Sequence, residues 1–415
     1  MKVLSFFILV SIALVVFVGA YFSLKASISN NSNFGYLASL AKHVKESTST
    51  TDVFKNKNFL PSTATATSVS KTKATTSVSV PLSVTAAKKS SVTIKPMTQV
   101  QSSDFSFADF LKSKGKEFGV WLWRSPKDMS PDEMRVVIDQ IASSGFTSVY
   151  ITIDDYLDIR SVKRERTREL AYEKYETSLD TFLTLAVKKN IAVDVEAGGK
   201  EWAFPKNRHK AFEILSFASA YNKRSINKIR AVQFDIEPYD LPHYERNKET
   251  YLGDFLEMTS LLVSQAEKEG ISLSLAIPEF YDSVDEATKL LFDGKNDLPF
   301  NHLVRIMGRI PKNSLVIMAY SDTTEGELGS IRISQNEVSQ GLLGAYPVKI
   351  IIGQETGNVD SEGRPTLSPS VTFYGQSKSY FFSQLRIIYD TYSSYPAYGG
   401  FAVHYLDTFL FLKDK

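Results

Sequence analysis

The chain has 415 residues, 43% of them hydrophobic and 23% charged, with a formal net charge of +2. It has no cysteine, which excludes disulfides, thiolate metal sites, cysteine nucleophiles and lipid attachment through an N-terminal cysteine. No two of its five His stand at HxH or HExxH spacing, so neither a zinc site nor any other metal or cofactor is expected.

The charge is unevenly placed. Residues 1–103 carry 11 Lys against Glu46 and Asp52, which leaves the remainder at −7. A mildly acidic globular part argues against a nucleic-acid partner. Residues 3–24 are apolar without a charge, between Lys2 and Lys25. Such a run can cross a bilayer core of about 30 Å as a helix. Residues 1–25 therefore read as an uncleaved signal anchor, with Val18-Gly19-Ala20 as the place where a signal peptide would be cut. The expected location is the cell membrane, single-pass with the folded part outside, or secreted if the segment is removed. Residues 26–103 read as a disordered linker rich in Ser, Thr and Lys, with too little apolar surface to fold.

From residue 104 to 415 the pattern changes to short apolar runs alternating with longer helical stretches. The runs are Phe118–Trp123, Ser148–Ile153, Ile191–Val195, Ile229–Ile236, Ile271–Ile277, Ser314–Tyr320, Val348–Gly353 and Gly399–Tyr405. Helices are expected at Pro131–Ser144, opened by a Ser130/Glu133 capping box, at Glu169–Lys189, and at Thr250–Glu269 closed by Gly270. Eight strand–helix repeats predict an α/β fold, a closed (β/α)₈ TIM barrel. A doubly wound open sheet is the alternative, but no GxGxxG follows any run.

In such barrels chemistry sits at the carboxyl ends of the strands. The fourth run places Gln233, Asp235 and Glu237 on one face before Pro238 ends it. Other runs end on Trp123, on Asp154, on Asp194 and Glu196 followed by Trp202, on Glu279, on Tyr320 and Asp322, on Glu355, and on His404. Carboxylates with aromatic rings around one mouth suit a sugar site: rings stack on sugar faces and carboxylates bind hydroxyls or move protons. The loop after the seventh run holds Gly357 and Gly363 but is acidic, with Asp360 and Glu362, which disfavours a phosphate site. The catalytic candidates are Glu237, Asp235, Tyr320 and Glu355. The binding candidates are Trp123, Asp154, Asp194, Glu196, Trp202, Tyr239, Glu279, Asp322 and His404.

These motifs resemble the chitinase-like family 18 of glycoside hydrolases. Asp235-x-Glu237 matches the end of that family's strand-four motif, with Arg230 and Gln233 where its earlier acids stand. Met318-Ala319-Tyr320 matches strand six, with Ser321 before Asp322. Gly399-Gly400 matches strand eight, with His404 in place of a Trp. The resemblance implies Glu237 as general acid, Asp235 as its stabilising partner, and Tyr320 supporting an intermediate formed by the substrate's own N-acetyl group. Glu237-Pro238 and Glu355 also resemble the acid/base and nucleophile of the large retaining barrel clan, although Ile236 stands where that clan has Asn. Carboxyls about 5–5.5 Å apart would serve that second route. The expected function is a glycosidase acting on extracellular or cell-wall polysaccharide. The alternative is a catalytically inactive barrel that binds glycan.

Overall fold

The computed structural model describes residues 104–283, 288–358 and 367–414. The anchor and linker readings for residues 1–103, and Asp360, Glu362 and Gly363, lie outside the described residues. Among the described residues no helix is long and apolar enough to cross a membrane.

Eight parallel strands close into a barrel: β1 (Glu117–Leu122), β2 (Ser148–Thr152), β3 (Ala192–Gly198), β4 (Ala231–Asp235), β5 (Ser272–Pro278), β6 (Ser314–Met318), β7 (Lys349–Glu355) and β8 (Tyr398–His404). Each pairs with its sequence neighbours, and β1 closes on β8 through Phe118 opposite Phe401. A small antiparallel hairpin, Leu290–Phe292 with Lys295–Asp297, is inserted between β5 and β6.

The outer helices include α1 (Asp104–Ser113), α2 (Pro131–Ser143), α3 (Asp155–Ser161), α4 (Glu165–Lys188), α5 (His209–Arg224), α6 (Tyr244–Glu269), α7 (Pro299–Met307), α8 (Ser330–Ser339), α9 (Lys378–Tyr392) and α10 (Leu406–Leu410). The α2 capping box forms as the sequence predicts: Glu133 accepts from the Ser130 N–H at 2.7 Å, and the Glu133 N–H donates back to the Ser130 hydroxyl. Gly270 ends α6 in the left-handed region, φ 69°.

Alternation divides each strand between two environments. Outward residues such as Val120, Ile151, Val193, Val232 and Phe234 are buried against the helices. Inward residues fill the barrel in layers. The middle layer is mostly apolar: Trp121, Tyr150, Ala276, Val316, Ile351 and Ala402 pack together. Its polar member, Gln233, is buried and accepts from Trp121 Nε1 at 2.6 Å while donating to the Ser274 hydroxyl at 3.3 Å.

Below this layer lies the foot. Arg230 forks onto Asp194 and Glu117, with all four N–H···O distances between 2.7 and 2.9 Å. Ser148 and Tyr150 also donate to Glu117. The bidentate geometry holds Glu117 below the usual carboxylate range against the cost of burial. A cavity of about 700 Å³ opens here, bordered by Lys312 and Lys349. Its buried charges are already paired, and Lys228 caps the carbonyls of Asn222 and Ser225 near the end of α5. The foot is therefore an ion-paired closure, at the opposite end of the barrel from the strand carboxyl termini.

Candidate active site

The mouth is built where β2, β3 and β4 deliver their inward positions. β4 stops at Asp235, and Pro238 opens a short 3₁₀ turn, Pro238–Asp240. Glu237 sits between them, capping the turn at φ −110°, ψ 73°. The turn brings the Tyr239 hydroxyl to Glu237 Oε1 at 2.5 Å. Glu237 is 4% exposed. Burial first, and then the charge of Asp235, push its carboxyl well above the usual range.

Asp235 is half-buried, its Oδ1 enclosed without a hydrogen-bond partner. Burial raises its pKa to about 6, against the opposing pull of His404. Glu196, from β3, is 2% exposed and well raised by burial and by the charges of Asp154 and Asp235. Asp154 is exposed at the rim yet crowded by protein on its inner side. Burial of that side, with Asp155, Asp235 and Asp158 nearby, raises it to about 7, although its Oδ1 accepts from the Gly198 N–H at 3.1 Å. Four carboxylates thus act on one another across three adjacent strands.

Gly198 makes this possible. A Cβ there would lie 1.9 Å from the Asp235 carbonyl oxygen, so β3 and β4 approach this closely only through glycine.

The other side of the mouth is mostly aromatic, with one carboxylate, Glu355. Trp123 Nε1 donates to His404 Nε2 at 3.0 Å, and His404 Nδ1 lies 2.7 Å from Glu355 Oε2. Glu355 Oε1 accepts from the Gly357 N–H at 2.5 Å. Tyr320, at the end of the β6 run, stacks on His404 with ring centroids 6.1 Å apart. Burial raises its hydroxyl pKa, with the charges of Glu355, Asp235, Glu237 and Glu279 adding to the effect. Tyr320 therefore stands where the two sides meet.

The structure brings Glu237, Asp235, Tyr320, Asp154, Glu196 and Tyr239 to one end of the barrel, with Trp123, His404 and Glu355 beside them. It corrects three expectations. Asp194 is at the foot, clamped by Arg230, because β3 runs on to Gly198, past the end of its apolar run. Trp202 is no sugar platform: it is 5% exposed and packs into the core between barrel and helices. Asp322 sits half-buried on the loop after β6, its N–H bonded to the Ser370 carbonyl, with nothing tying it to the acid cluster. Glu279, in the turn after β5, acts on Tyr320 and on the buried Glu337.

Two participants escaped the sequence reading. Asp240 adds negative charge at Asp235 and Glu237, and Lys200 opposes it at Glu237 and Asp240. Asp240 follows Glu237 by three residues in a Pro-led turn, which is the signal that could have found it. Among the described residues no group of His, Cys, Asp and Glu is arranged to hold a metal ion.

No protein-family model and no curated protein sequence matches the chain. Among solved structures, it is similar to catalytic domain 2 of the Ostrinia furnacalis group II chitinase, at 11% identity over 71% of this chain and 90% of that one, TM-score 0.41. It is also similar to a family 18 chitinase from Pseudoalteromonas aurantia, at 10% identity over 70% and 93%, TM-score 0.41. A family 5 glycoside hydrolase from Streptomyces cattleya, solved with Manβ1-4GlcNAc, matches at 14% identity over 69% and 70%, TM-score 0.40.

Proposed function

We propose that the barrel is a glycosidase in which Glu237 donates a proton to the glycosidic oxygen. One observation carries this reading: Glu237 is buried at the carboxyl end of β4 with Asp235 two positions earlier, and burial and that charge both favour its protonated form. A general acid must hold its proton near neutral pH, and burial with a like-charged neighbour is the usual way a carboxyl is made to do so. Asp235 is the carboxylate that acts on Glu237 most strongly. Glu355 has one oxygen against His404 and the other on the Gly357 N–H, an arrangement suited to a positioning group. That difference favours the route in which the substrate's own acetamido group closes on the anomeric carbon. The unpartnered Asp235 Oδ1 would accept that group's N–H, and Tyr320 would steady its carbonyl. The substrate class is extracellular or cell-wall polysaccharide. In this reading residues 3–24 hold the barrel at the outer face of a membrane, or are cleaved to release it.

The test is release of reducing ends from a glycan panel by the full chain, and its loss in Glu237→Gln. Removing a general acid costs about 10²–10⁴-fold. A second reading, a barrel that binds glycan without cleaving it, is favoured by the 4% exposure of Glu237 and by the Tyr239 hydroxyl already bonded to it. Retained binding with no reducing ends from any glycan would select that reading.

A further inference from the structure

The acid cluster holds more carboxylates than one proton transfer uses. Asp154 and Glu196 lie on the β2–β3 side, away from the Tyr239–Glu237 pair. Asp154 is exposed at the rim and Glu196 is buried behind it. One side of Glu196 is met by the Thr152 hydroxyl. Its Oε2 is enclosed with no hydrogen-bond partner, and it faces the charges of Asp154, Asp235 and Glu237. A buried acceptor without a donor is costly, so it calls for a ligand that brings one. Among the described residues no Lys or Arg forms an ion pair with Asp154, Glu196, Asp235 or Glu237. Lys127 is taken by Asp155 at 3.1 Å and Asp128 at 2.7 Å.

We propose that the Asp154–Glu196 side of the mouth binds a protonated amine, so that the preferred glycan carries free amino groups on at least part of its hexosamine units. An ammonium group supplies three donors and no acceptor, and its charge draws Asp154 and Glu196 into the ionised form, which only accepts. Its charge also relieves the repulsion among the carboxylates, which a neutral hydroxyl does not. The same wall repels uronic acids and phosphorylated sugars. The acetamido-bearing unit remains at Asp235 and Tyr320, and the amine-bearing unit lies beside it. The inference rests on the mouth being a glycan site, and it does not require that the barrel cleave.

The experiment is calorimetric binding to the full chain in detergent micelles at pH 7. The probes are β-1,4-linked tetramers of glucosamine, N-acetylglucosamine and glucose. Binding of the glucosamine tetramer at least tenfold tighter than either neutral tetramer is expected. That preference should fall to less than threefold in Glu196→Gln and, as an independent check, in Asp154→Asn. Equal or weaker binding of the glucosamine tetramer by the unaltered chain overturns the inference, as does a preference unchanged in both variants. Reducing-end release is measured alongside. Amine preference with no reducing ends from any glycan, partially N-acetylated glucosamine oligomers included, removes the glycosidase reading alone, and hydrolysis without amine preference removes this one alone.

Discussion

Nδ1 of His404 lies 2.7 Å from Oε2 of Glu355, its cross-strand neighbour on β7. The other ring nitrogen, Nε2, accepts from the Trp123 indole, which can only donate. The ring is thereby held between a side chain from each neighbouring strand, with Nε2 accepting and Nδ1 facing the carboxylate. His404→Phe keeps the ring but leaves Glu355, 1% exposed, without its side-chain donor. Leaving that buried oxygen without its donor should cost about 1–3 kcal/mol in urea unfolding.

Glu237, Glu196 and Asp235 all bind protons more tightly in the folded chain than an ordinary carboxyl does, Asp235 with a pKa of about 6. The stability they contribute is present below the ordinary carboxyl range, near pH 4, and is lost as pH rises through their raised values. The urea midpoint should therefore be lower at pH 8 than at pH 5. Asp235→Asn, which removes one of these groups and the like charge acting on Glu237, should flatten that slope. Hydrolysis should follow the same direction, falling as Glu237 loses its proton. A rate that rises on the alkaline side would remove Glu237 from the acid role.

Gly198→Ala tests how closely β3 and β4 must approach. The added methyl would lie 1.9 Å from the Asp235 carbonyl oxygen, so the backbone must shift. We expect a loss of about 1–3 kcal/mol in thermal or urea unfolding, the usual cost of overpacking. A fall in activity out of proportion to that loss should accompany it, since Asp154 is anchored to the same residue.

Arg230→Met tests the opposite end. It strands Asp194, whose side chain is 2% exposed, and Glu117 without their cation. Because the Arg230 side chain is 38% exposed, about 3 kcal/mol is expected, the lower end for a broken buried pair. Folded Arg230→Met protein should keep wild-type binding and turnover, measured below its unfolding temperature.

The barrel was legible because all eight strands carry apolar runs that the helices need on one face, and each run falls on an observed strand. Glu237 and Asp235 were legible because Pro238 marks where β4 must end. What escaped is side-chain direction at run edges. β3 continues past Val195 through Glu196, Ala197 and Gly198, none of them a typical apolar strand residue, so Asp194 was placed one layer too high. Trp202 follows two glycines and a charged pair, a rim signature, yet the 3₁₀ turn Lys200–Ala203 folds its ring inward. No periodicity encodes the meeting of His404 with Trp123, which lies just past the end of β1 and arrives by closure of the barrel.

The apolar middle layer around Trp121 and Gln233 acts as an insulator. Its members carry no formal charge at neutral pH, so the acidic bowl above and the Arg230 clamp below are expected to respond to substitution independently. A double-mutant cycle pairing Glu196→Gln with Arg230→Met should close with a coupling below about 0.5 kcal/mol. Each end of this cylinder can then be altered without reference to the other.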